Sequence, residues 1–113
     1  MIRARGVRRQ YEAGRMNGLE TRYATALQER KAIGEIHSYR FESLKLRLAD
    51  KTFYTPDFLV MLPSGELEFH EVKGFWEDDA RVKIKVAAEQ YPEFGFIAVM
   101  WDKRSGWKPE DFA

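Results

Sequence analysis

Cysteine is absent from the 113 residues. That excludes a disulfide-stapled scaffold, a cysteine-zinc site and a thiol nucleophile. Histidine is scarce: His37 and His70 are the two in the chain, and their spacing matches no zinc pattern. No stretch approaches the roughly 18 consecutive apolar residues of a membrane span. The first residues lack the hydrophobic run of a secretion signal, so the expected location is intracellular, in a bacterial or phage-infected cytoplasm. A glycine-rich phosphate loop is also missing, because Gly14 to Gly18 has no preceding strand and no Lys-Ser/Thr ending. No nucleotide cofactor is expected.

Neither sign of charge dominates, with 19 Lys plus Arg against 18 Asp plus Glu and a net of +1. The balance conceals an asymmetry. Residues 1–16 hold Arg3, Arg5, Arg8, Arg9 and Arg15 against Glu12 alone, a local +4 that leaves −3 on the remainder. Such an arm can displace counterions from a phosphate backbone without folding, or can serve as a solvated terminus. With 44% apolar and 33% charged residues, the rest has the composition of an ordinary globular protein. One domain over residues 17–113 is expected, with a modest core.

Asn17 can cap a helix over 17–33 with Glu20 in its first turn, and Gly34 ends it. Residues 36–41 read as a strand. Leu44, Leu46 and Leu48 alternate with Lys45, Arg47 and Ala49, the pattern of a half-buried strand. After a turn at Asp50-Lys51, another strand is expected over 53–62, entered through Pro56. The turn Pro63-Ser64-Gly65 leads into a returning strand over 66–73. A second helix spans 78–91, with Val82, Ile84, Val86 and Ala87 as its apolar surface, and Pro92 stops it. A hydrophobic strand over 95–101 follows, and residues 102–113 read as polar and turn-like. The hairpin-connected middle and strand–helix–strand ending give an α/β fold with a mixed central β-sheet flanked by helices.

Three pieces carry chemistry together: Glu20, Pro56-Asp57-Phe58 and Glu71-Val72-Lys73. Glu71 and Lys73 project from one face of their strand, and Asp57 lies on its hairpin partner. Two carboxylates there suit Mg²⁺, and the lysine beside them can orient water or steady charge growing on a phosphate. Each piece has a structural reading as well. Glu-x-Lys on a strand often forms an ion pair, Pro-Asp often opens a turn, and a first-turn glutamate answers the helix dipole.

The motif resembles the PD-(D/E)-x-K nuclease superfamily through Pro56-Asp57 and Glu71-Val72-Lys73. Within it, the phrases Asn17-Gly18-Leu19-Glu20, Tyr54-Thr55-Pro56-Asp57-Phe58 and His70-Glu71-Val72-Lys73-Gly74-Phe75 are similar to small phage-encoded endonucleases related to Holliday-junction resolvases. The resemblance covers about residues 17–101. It implies a restriction-endonuclease-like core and Mg²⁺-dependent cleavage of nucleic-acid phosphodiester bonds, with Mn²⁺ as a substitute ion. It also implies that Glu20, Asp57 and Glu71 are metal ligands and Lys73 the catalytic lysine.

For nucleic acid, Arg81 and Lys85 share a helical face and can meet a phosphate backbone, whereas Lys83 points elsewhere. Ion pairs of Glu77 with Arg81 and of Lys85 with Glu89 are the competing account. Phe75 and Trp76 can stack on bases or cover the helix start, and packing is favoured. His70 points away from Glu71 on a regular strand and reads as structural. The leading function is a metal-dependent endonuclease acting on DNA, branched DNA included, with a homodimer as the arrangement that explains paired incisions. The alternatives are a non-catalytic nucleic-acid-binding accessory protein and a general nicking nuclease of phage DNA metabolism.

Overall fold

The computed structural model describes residues 14–76 and 78–113. Helix α1 (Gly18–Ala32) opens on a capping box: the Asn17 side chain accepts from the Glu20 backbone N–H, and the Glu20 carboxylate accepts from that of Asn17. It closes on a Schellman motif, Glu35 N–H to Arg30 C=O and Gly34 N–H to Lys31 C=O, with Gly34 at φ +84°. Because both ends are satisfied locally, the helix survives although only Tyr23 and Leu27 are buried along it.

Seven strands follow: β1 (Ser38–Phe41), β2 (Leu46–Ala49), β3 (Thr52–Tyr54), β4 (Phe58–Met61), β5 (Leu67–Lys73), β6 (Gly95–Asp102) and β7 (Gly106–Asp111). Helix α2 (Asp78–Gln90) lies between β5 and β6. The main sheet has the order β1-β4-β5-β6-β7, and β2-β3 form a separate hairpin. Pairing is antiparallel except between β5 and β6, where α2 supplies the crossover that a parallel pair requires. The core is therefore α/β, a mixed central sheet between two helices, of the restriction-endonuclease-like kind.

Period-two alternation sorts the side chains onto two faces. Phe58, Val60, Val72 and Val99 meet Tyr23, Leu27 and Ile36 on the α1 face. Phe69, Phe96 and Ala98 meet Ile84 and Ala87 of α2 and Leu46, Leu48 and Tyr54 of the hairpin on the other. His70 is structural, as its place in the strand implies: its ring contacts the Tyr23 hydroxyl at 2.6 Å and Glu68 at 2.9 Å, bolting α1 to β5. The far end of α2 holds the hairpin, with Gln90 donating to Leu48 C=O and Tyr91 to Arg47 C=O.

Three expectations need correction. The strand expected over 53–62 is two strands in different sheets, because Pro56 has no N–H to donate and restricts Thr55 before it. Residues 102–113 are not merely turn-like but contain β7. The Asp102 side chain accepts from the N–H groups of Arg104 and Ser105, Gly106 takes φ +81°, and Trp107 packs on Trp101 across the turn. Pro109 is tolerated because β7 is an edge strand. On α2, Val82 and Val86 face outward rather than into the core. Among the described residues no helix is long and apolar enough to cross a membrane.

Candidate active site

The β4–β5 register pairs Phe58 with His70, and one step further brings Asp57 opposite Glu71. Both carboxylates belong to the α2 face, since each is two residues from Leu59 or Phe69 on its strand. Asp57 is held from both sides of its own chain. Its Oδ2 accepts from the Val72 N–H at 2.8 Å, and its backbone C=O accepts from the Glu42 N–H at 2.8 Å. Glu71 has a donor on each oxygen: the Tyr54 hydroxyl to Oε1 at 2.7 Å, and Lys73 Nζ at 3.2 Å from Oε2. Tyr54, buried at the end of β3, reaches it from the hairpin.

Two carboxylates each 9% exposed make a costly pair. Burial raises the pKa of Asp57 well above the carboxylate range, and the neighbouring Glu71 charge adds to it, against the opposing Val72 N–H. Glu71 is raised as well, by burial first, with Lys73 and Tyr54 pulling it back. The Tyr54 phenol is pushed far up by burial and by the Glu71 charge, so it remains a donor.

Glu20 stands apart. It begins α1, which packs on the opposite sheet face, and its carboxylate is occupied by the Asn17 N–H at 2.9 Å. Its neighbour Leu19 lies over Gly74, just past the end of β5. The Glu20 charge is felt at Asp57, adding a smaller upward push. Among the described residues no three His, Asp or Glu side chains converge closely enough to hold a metal ion.

Asp57, Glu71 and Lys73 line a cleft of about 350 Å³ with Glu42, Phe53, Tyr54, Thr55, Asp79, Ala80 and Lys83. Four carboxylates face two ammonium groups there. The acidic groups offer oxygen donors throughout, the ligand type that a hard divalent cation takes.

The basic residues of α2 divide between the cleft and the surface away from it. Arg81 forms a two-bonded ion pair with Glu110 of β7 and lies over the rings of Trp76 and Phe112. Lys85 is exposed and lines no part of the cleft. Lys83, on a different side of the helix from Arg81 and Lys85, does line it. Arg15 is exposed, while Arg3, Arg5, Arg8 and Arg9 lie outside the described residues. Of the two aromatic neighbours, Trp76 is packed and Phe75 is 71% exposed. Sequence reasoning missed Tyr54, Glu42, Asp79 and Lys83. A signal existed for the last two alone, since Asp79 and Lys83 are four apart and share a helical face.

The chain is 37% identical over 92 residues to "Endonuclease I" of Escherichia phage T7, which covers 79% of this chain and 56% of that protein. It is 46% identical over 52 residues to "Endodeoxyribonuclease 1" of Enterobacteria phage T3, covering 46% of this chain and 32% of that protein. The chain thus spans about half the length of the first curated relative and about a third of the second. No protein-family model matches it, and no solved structure matches it significantly. The likeness to phage endonucleases carried by the motifs is borne out at the level of homology.

Proposed function

We propose that this homologue of phage endonucleases is itself a metal-dependent endodeoxyribonuclease that hydrolyses DNA phosphodiester bonds. The observation that carries the reading is the facing of Asp57 and Glu71 at the rim of an open cleft, with Lys73 paired to Glu71. A buried carboxylate pair is costly when ionised, and a bound cation is one way to offset that cost. Asp57 and Glu71 would hold Mg²⁺, or Mn²⁺ in its place, and Glu20 would join them on leaving its capping bond. When bound, the ion supplies Lewis acidity at the scissile phosphate and acidifies water.

The chain's own groups do the rest. Tyr54 fixes one Glu71 oxygen and Lys73 the other, so the carboxylate cannot rotate. The Val72 N–H fixes one oxygen of Asp57 and leaves the other for a ligand. Lys73, partly exposed in the cleft, orients the attacking water and offsets the negative charge that grows on the phosphate. Branched DNA is the proposed preferred substrate, cut by two copies of the chain acting on two strands, in a phage or phage-infected cell.

The test compares labelled four-way, flap and linear DNA with Mg²⁺, Mn²⁺ or EDTA, using the native protein and Lys73→Ala. Products that need the metal and vanish in the variant support the nuclease. DNA binding with no products in either metal would replace it with the accessory-protein reading. Equal cleavage of all three substrates would remove the preference for branches.

A further inference from the structure

We propose that Lys83 is a substrate-positioning residue that grips the phosphate next to the one being cut. The inference rests on the nuclease reading and concerns the wall of the cleft that the motif does not reach. One wall is built by β4 and β5 and carries Asp57, Glu71 and Lys73. The other is built by the first turns of α2, with Asp79, Ala80 and Lys83, and by Phe53 at the hairpin edge. A polyanionic strand in this cleft meets carboxylates on both sides. It needs cations on both sides to stay.

Of the two ammonium groups in the cleft, Lys73 is already paired with Glu71 at 3.2 Å. Lys83 makes no ion pair among the described residues, and its contact is a long 3.5 Å bond to the Phe53 backbone carbonyl. That bond costs little to give up, whereas a phosphate offers a charge-assisted one. The other helix cations are unsuited to the task. Arg81 is engaged by Glu110 and two aromatic rings, and Lys85 lies off the cleft. Lys83 is therefore the α2 cation that can meet a strand whose scissile phosphate sits at Asp57 and Glu71.

A lysine held for structure and a lysine held for phosphate respond differently to salt. Each phosphate contact contributes nearly one counterion to the slope of log affinity against log salt concentration. The experiment measures binding of Lys83→Gln and Lys83→Arg to fluorescein-labelled linear and four-way DNA, with Ca²⁺ replacing Mg²⁺, across a salt series. Single-turnover cleavage with Mg²⁺ accompanies it. The proposal expects Lys83→Gln to weaken binding about tenfold on both DNAs and to reduce the salt slope by about 1. Its cleavage rate at subsaturating protein should fall in step with the lost affinity, and Lys83→Arg should restore most of both. Native affinity and slope in Lys83→Gln would overturn the proposal, as would weaker binding with an unchanged slope. Neither result touches the nuclease reading, which stands or falls on cleavage by the native protein.

Discussion

At the scale of single residues, the decisive feature is that every oxygen of Glu71 has a designated donor while Asp57 has one oxygen to spare. Tyr54 is the less visible half of this arrangement. Tyr54→Phe removes one hydroxyl and leaves the ring packed against Leu46, Leu48 and Ile84. The Glu71 carboxylate then swivels on Lys73 alone. Loss of a side chain that orients a ligand in this way typically lowers metal affinity or activity about 10- to 100-fold. The expected result is a fall in single-turnover rate and a rise in the Mg²⁺ concentration needed for half-maximal cleavage, with DNA affinity in Ca²⁺ unchanged. A loss of DNA affinity without a change in metal requirement would show that Tyr54 supports the cleft wall instead. Asp57, Glu71 and Lys73 were legible in the sequence because strand periodicity puts them on one face. Tyr54 was not, since its contact joins two separate sheets.

At the scale of elements, both helices were legible almost to their ends because caps are local: Asn17, Glu20 and Gly34 specify α1 without help from the core. The strands were less so. Pro56 marks an entry into the strand over 53–62, yet nothing in the local sequence says that the residues before it leave the main sheet. Strand β7 escaped because its apolar alternation is interrupted by Lys108 and Pro109, and its pairing with β6 is a tertiary fact. The capping box also creates an ambiguity at Glu20 that two variants separate. Glu20→Gln keeps an oxygen for the Asn17 N–H, so its thermal midpoint should remain near native. Asn17→Ala removes the cap and costs about 1 kcal/mol. If Glu20 leaves the box to assist catalysis, Glu20→Gln should lose DNA cleavage by about 100-fold or more while Asn17→Ala retains it. Both variants cleaving at the native rate would confine Glu20 to capping, and thermal unfolding beside a cleavage assay distinguishes the cases.

At the scale of the whole molecule, the sheet separates two tasks. Its α1 face is closed by aromatic packing and the Tyr23–His70–Glu68 bolt, and its α2 face opens into the acidic cleft. The open face carries a stability cost whose sign follows from the raised pKa values of Asp57 and Glu71. Between the ordinary carboxylate range and those raised values, the folded chain binds more protons than the unfolded one. Stability contributed by the protonated pair is thus complete in acid and is lost as pH rises towards neutrality and beyond. Without metal, thermal stability should therefore fall from pH 5 to pH 8. Asp57→Asn removes a group whose ionisation the fold opposes and keeps an acceptor for the Val72 N–H. It should stabilise the metal-free protein at pH 8 by about 1–2 kcal/mol, flatten the pH dependence and abolish cleavage. Mg²⁺ should act in the opposite pattern. At 100 times its dissociation constant, it stabilises the native protein by about 2.7 kcal/mol at pH 8. It should do much less at pH 5, where protons compete for the same oxygens, and little in Asp57→Asn at either pH. Thermal melts in EDTA and in Mg²⁺ at the two pH values measure all of this without any DNA. An Asp57→Asn protein less stable than native at pH 8 would show that the carboxylate pair holds the fold together, and that the cleft was not shaped around a cation.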